Sequence, residues 1–178
     1  GRKQGYALPM LRIGRDPAAP LQDHATTTLT QGACDAALLK PCPMVVGTSG
    51  GRPRLGNREF RLTLDQAPNP AGYKPIPFLI LGHGSGYEEG RAIDLPCKES
   101  FLLYPRFENL LALIPVPATE QKRGPCGLQV SIPFPLPKDP RLRGFRLTVQ
   151  WIVLNMRQSS PSGWVMSASK ECRIKIGG

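Results

Sequence analysis

Residues 132–151 read I-P-F-P-L-P-K-D-P-R-L-R-G-F-R-L-T-V-Q-W, a proline-punctuated turn followed by a long strand-like run. Pro133, Pro135, Pro137 and Pro140 each remove a backbone donor and fix φ, so the first half reads as an edge strand or a loop. From Phe145 the pattern changes. Phe145, Leu147, Val149, Trp151 and Val153 occupy alternate positions, with Arg146, Thr148 and Gln150 between the first four, which is the period of a strand with one face in a core. Phe60, Leu62 and Leu64 repeat that alternation upstream.

Working outward, short apolar runs separated by Gly, Pro, Asn or Asp continue along the chain. Strands are expected at 44–48, 59–64, 77–82, 92–95, 100–104, 110–115, 128–134, 145–154, 163–167 and 172–176. With 19 Gly and 20 Pro among 178 residues, long helices are disfavoured, while a hydrophobic fraction of 40% suffices for a core. The expectation is an all-β chain: an antiparallel β-sandwich, immunoglobulin-like or jelly-roll-like, over residues 43–178. A faint echo between 59–82 and 128–154 is compatible with two related half-sandwiches.

Residues 1–42 differ from the rest. Pro9, Pro17 and Pro20 interrupt any regular element, and Thr26, Thr27, Thr28 and Thr30 make a polar, β-prone run. This stretch is read as an extended N-terminal arm with a cysteine loop. Tyr6, Leu8, Met10, Leu11 and Ile13 give the arm enough apolar content to pack on its own domain or on a neighbouring copy.

Twenty-three Lys plus Arg against 13 Asp plus Glu leave a net charge of +10. Arg52, Arg54, Arg58 and Arg61 form one cluster, and Arg141, Arg143 and Arg146 another. Each is a candidate polyanion site or simply a solvated face. An acidic glycan fits such a surface. Nucleic acid is not expected, because neither cluster interleaves aromatic rings.

Five cysteines, Cys34, Cys42, Cys97, Cys126 and Cys172, show no C-x-x-C spacing and have only His24 and His83 as possible companions. No metal or other cofactor is expected. Cys34 with Cys42, bracketing a short loop, and Cys97 with Cys126, flanking a hairpin, are the expected disulfides; Cys97 with Cys172 stays open as an alternative. Cys172 otherwise reads as a buried thiol in the last strand. Disulfides point to an oxidising compartment. No 18-residue apolar run is present, so no transmembrane helix is expected.

No catalytic constellation emerges. G-H-G-S-G at 82–86 lacks the glycines two residues either side of Ser85 that a nucleophile elbow requires. His24 and His83 lack an evident orienting carboxylate. Glu88, Glu89 and Asp94, even joined by Asp35, Asp65 or Asp139, follow no calcium-loop spacing. Trp164, Tyr73, Tyr87 and Tyr104 could line a sugar-stacking face, whereas Trp151 fits the core alternation.

L-G-N-R-E-F-R-L-T-L from Leu55, F-L-I-L-G from Phe78, L-P-C from Leu95, the L-P-K-D-P-R-L-R-G-F-R-L-T-V-Q-W run, and S-A-S-K-E-C-R-I-K-I-G ending at Gly177 together resemble a largely uncharacterised β-sandwich module of secreted bacterial proteins. Lys138 stands where that module commonly has Asn, and Cys172 at a usually aliphatic position. The resemblance implies export to the cell envelope or beyond and brings no catalytic residues. The resulting expectation is a non-enzymatic structural protein that assembles with itself or with other envelope proteins. The alternative is a carbohydrate- or polyanion-binding module.

Overall fold

The computed structural model describes residues 28–32, 42–84, 86, 91–94, 100–117, 120–121, 124–159 and 164–178. They form an all-β sandwich of two antiparallel sheets, with no α-helix among them. The larger sheet runs β1 (Thr28–Gly32), β11 (Trp164–Ala168), β10 (Arg146–Arg157), β4 (Tyr73–His83), β7 (Leu110–Pro115). On its β11 side, β10 also pairs with β12 (Cys172–Lys175). The smaller sheet runs β2 (Val45–Ser49), β3 (Arg61–Ala67), β9 (Leu128–Pro133), β8 (Glu120–Gln121), and β5 (Arg91–Asp94) with β6 (Ser100–Leu103) makes a separate hairpin.

Each of the ten expected strands is present, 110–115 with the expected ends and the other nine with at least one end shifted, and β1 and β8 add to them. β1 lies inside the stretch read as an arm, yet it ladders with β11 from Thr28↔Ala168 to Gly32↔Trp164. Residues 6–13, which carry the apolar part of that arm, lie outside the described residues.

The strand expected at 77–82 begins instead at Tyr73 and carries Pro75 and Pro77. The ladder explains why two prolines are tolerated there. The Gly84 N–H donates to the Arg146 carbonyl, and the Val116 N–H to that of Pro77. Even-numbered residues of β4 therefore bond to β10 and odd-numbered ones face β7. Both prolines turn their missing donor away from β10, toward the side where the β7 ladder ends at Phe78↔Pro115. The β4–β10 pairing thus continues unbroken from Leu147↔His83 to Arg157↔Tyr73.

Between the sheets lies one main core. Val46, Leu62, Leu64, Leu128 and Val130 of the smaller sheet meet Leu79, Leu81, Leu147, Val149, Trp151, Val153 and Ile174 of the larger. The alternation read from the sequence marks this face. The other face of β10 is buried as well: Thr148, Gln150 and Ile152 are covered, and Ile80, Leu103, Ile152 and Ala168 form a second cluster where β6 packs on the larger sheet.

Burying both faces of a strand makes an inside partner valuable to its polar residues. Although the Asn155 side-chain amide, buried on the same strand, has none among the described residues, Gln150 has two. Gln150 is fully enclosed. Its Oε1 accepts the Tyr104 backbone N–H at 3.0 Å, and its Nε2 donates to the Ser169 carbonyl at 2.9 Å. Ser169 sits between β11 and β12; its N–H donates to the Trp151 carbonyl at 2.9 Å, and the Trp151 N–H donates to the Ser169 hydroxyl at 2.9 Å. One amide side chain thereby joins the segment after β6 to the β11–β12 junction. Gln150→Ala is expected to lose about 2–4 kcal/mol in urea unfolding, because two buried backbone groups lose their partner. Gln158→Ala, on the exposed end beyond the same strand, is expected to stay within about 0.5 kcal/mol.

Candidate functional site

Two surfaces stand out, one cationic and one apolar. The cationic one gathers both arginine clusters at one end of the sandwich. Arg54 bridges in parallel to Gly177, the Leu55 N–H donates to the Gly177 carbonyl at 3.1 Å, and the Gly177 N–H to that of Pro53 at 2.8 Å. Gly56 N–H donates to Pro137, and Leu136 N–H to Asn57. Gly144 N–H donates to Ile176 at 2.7 Å. Three segments far apart in sequence, 52–58, 134–146 and 175–178, are thus laced together by main-chain bonds.

Glycine makes the closest approaches possible. Gly56 has φ of 77° and lies under the Lys138 side chain, whose Cγ would be 2.7 Å from an added Cβ. Gly178 lies against the Arg143 guanidinium in the same way. Arg52, Arg54, Arg58, Lys138, Arg141, Arg143, Arg146 and Lys175 are all exposed at this pole.

The cations differ in their surroundings. Arg141 is clamped by Asp139, with Nη2–Oδ2 at 2.7 Å and Nε–Oδ2 at 3.0 Å, while Asp139 Oδ1 also caps the following turn by accepting the Arg141 N–H. That guanidinium holds the Asp139 carboxyl below its ordinary range. Arg61 is half-buried and donates to the Ser131 hydroxyl and carbonyl, which ties it to the β3–β9 ladder. Lys138 and Lys175 join the pole although the sequence reading did not single them out.

The apolar surface is β7 and the short turn 107–109 before it, where the Arg91 guanidinium lies over the Phe107 ring, 5.6 Å from its centroid. Exposed large hydrophobic side chains among the described residues are Phe107 at 51%, Leu110 at 41%, Leu111 at 53%, Leu113 at 57% and Ile114 at 42%. All fall within eight consecutive positions. β7 ends the larger sheet's strand order, and among the described residues no strand pairs with its other edge. Ala112 and Val116 face the core, with Ile114 on that same side opposite Leu79, while Leu113 stands on the other side opposite Ile80.

Neither surface resembles a reaction centre. His83 is exposed at the end of β4, its ring 6.4 Å from that of Phe145. Gly84, with φ of 76°, turns the chain there. Ser85, Glu88 and Glu89 lie outside the described residues. Among the described residues no group of three or more His, Cys, Asp or Glu could hold a metal ion. Among the described residues the suggested aromatics form no stacking face, with Tyr73, Tyr104 and Trp151 buried and Trp164 half-buried, while Tyr87 lies outside them.

The expected disulfide pairing is corrected. Cys42 bonds to Cys126, 84 residues away, rather than Cys42 to Cys34 and Cys126 to Cys97. The reason is sheet order. β2 and β9 both flank β3, and beyond the end of β3 the chain before β2 meets the chain before β9. There the Asn69 N–H donates to the Pro125 carbonyl at 2.7 Å, and Cys42 Sγ lies 3.4 Å from that same oxygen. Cys34 and Cys97 lie outside the described residues. Cys172 is a buried thiol in β12.

No family model, no curated protein and no solved structure matches the chain. No described helix is long and apolar enough to cross a membrane.

Closing so long a loop restricts the unfolded chain by about 4–5 kcal/mol in the chain-entropy picture. The double variant Cys42→Ala, Cys126→Ala is therefore expected to lose about 2–5 kcal/mol by denaturant titration. Non-reducing peptide mapping should recover a 42–126 cross-linked pair.

Proposed function

We propose that this protein is a non-catalytic, exported β-sandwich that works by assembling, with copies of itself or with other cell-envelope proteins. The observation that carries the reading is the concentration of exposed large apolar side chains on one terminal strand, β7. Single exposed apolar residues are ordinary, whereas several large ones on one unpaired terminal strand, on both of its faces, suit a partner that wraps the edge. The long-range Cys42–Cys126 bond supports an oxidising location.

The patch is suited to packing rather than to indiscriminate strand addition. Parity of the β4–β7 ladder directs Leu113 and Pro115 to the open edge. Pro115 has no N–H to offer there, and the register shift between Leu81 and Gly82 puts a bulge at Leu111. A proline at one end and a bulge at the other are ways of blunting an edge. What remains for a partner is mainly the side chains.

Covering the four half-exposed side chains of β7 is worth on the order of 3–6 kcal/mol, half of about 1.5–3 kcal/mol for each full burial. Association costs on the order of 4–15 kcal/mol. The β7 patch alone thus gives a weak contact, and durable assembly needs a second one. The apolar positions Tyr6, Leu8, Met10, Leu11 and Ile13 are the chain's own candidate for it.

The test is Leu111→Glu with Leu113→Glu in sedimentation velocity of the disulfide-intact protein. Both residues are exposed, so the fold should survive by circular dichroism. The expected result is loss of the assembled species with an unchanged unfolding midpoint. Unaltered assembly would remove β7 from the reading, and a wild type that is monomeric at every concentration and with envelope extract would end it.

A further inference from the structure

We propose that the cationic pole is a binding site for an acidic polysaccharide, engaged through its carboxylate or sulfate groups. The inference is independent of assembly through β7. It rests first on convergence, since the main-chain bonds that lace 52–58, 134–146 and 175–178 together turn two separate arginine clusters into one continuous surface.

The second observation is a pair of like charges set face to face. Ile176 N–H donates to the Phe145 carbonyl, which makes 145 and 176 a hydrogen-bonded pair. The next pair, Arg146↔Lys175, is then of the closer, non-hydrogen-bonded kind, with Cα atoms about 4.5 Å apart. Both side chains are exposed, and like charges directly opposite each other destabilise a sheet. An anion lying between them would turn that repulsion into attraction.

Acids do little to neutralise the surface. Asp139 is committed to Arg141, Glu171 just before β12 is paired with Arg173 at its start, and Glu59, next to Arg58, is the exposed acid at the edge of these segments. Arg58, Lys138, Arg143, Arg146 and Lys175 remain as exposed cations on the laced segments. Arg side chains suit planar carboxylate and sulfate groups, which accept paired N–H donors.

A polysaccharide fits better than a nucleic acid. Single-stranded nucleic acid is held by bases stacked on exposed rings. Among the described residues Phe134 and Phe145 are half-buried against the core and His83 is exposed beside Phe145. Polyanion recognition by a flat cationic rim needs no such platform.

The experiment compares two triple variants of equal net charge. One removes pole cations, Arg143→Ser, Arg146→Ser and Lys175→Ser. The other removes exposed or half-exposed cations elsewhere, Lys74→Ser, Arg157→Ser and Lys170→Ser. Binding to heparin, to polygalacturonate and to a DNA duplex is measured across a salt series. The pole variant is expected to bind both glycans at least tenfold more weakly with a shallower salt dependence, and the control to bind within twofold of wild type. Equal weakening in the two variants would show that only net charge matters and would overturn the site. Binding to duplex DNA as tight as to the glycans and equally pole-dependent would overturn the ligand class. Lys175→Ser alone supplies a separate readout: without ligand its unfolding midpoint should rise, because the like-charge pair is relieved, while its glycan affinity falls. A midpoint that stays or drops would contradict the like-charge argument.

Discussion

The architecture depends on β10 being buried on both faces. A strand covered only by the opposing sheet could leave Thr148 and Gln150 to water, and the β6 segment would have nothing to seal. With both faces covered, Gln150 bonds inside, to two backbone groups from different parts of the chain. An unsatisfied amide there would cost about 1–3 kcal/mol for each lost partner, a large share of a domain's net stability. That requirement places Tyr104, and with it the β5–β6 hairpin, and it sets where β11 gives way to β12.

Much of this was legible in the residues. Alternation at Phe60, Leu62 and Leu64 and at Leu147, Val149, Trp151 and Val153 marks the core-facing positions, because side chains on a strand change face at every step. Three things were not legible, each for a physical reason. Pro75 and Pro77 looked like a strand boundary, since proline breaks a ladder unless its nitrogen faces outward, and which way it faces is a property of the neighbours. Cys42 and Cys126 were set apart by chain distance although β2 and β9 both border β3. The run Leu110–Pro115 was correctly read as a strand, but a continuous apolar run has the signature of burial on both sides. Its exposure follows from sheet order, which composition does not encode.

The candidate sites behave likewise. Arg52, Arg54, Arg58, Arg141, Arg143 and Arg146 were visible as charge, while their union into one pole depends on hydrogen bonds between Pro53 and Gly177, Gly56 and Pro137, and Gly144 and Ile176. Lys175 acquires meaning only from standing opposite Arg146. The two surfaces call for different partners: β7 offers apolar side chains and a blunted edge, the pole offers charge. A sandwich carrying both can hold to protein on one side and to an anionic matrix on another, consistent with the proposed envelope role.

Backbone hydrogen exchange across residues 107–116, compared between the native assembly and the dispersed, disulfide-intact protein, tests the central claim most directly. Assembly through β7 predicts that this segment takes up deuterium more slowly in the assembled state, with the β2–β3–β9 ladder unchanged. Identical uptake at 107–116 in the two states, with protection appearing elsewhere, would contradict it.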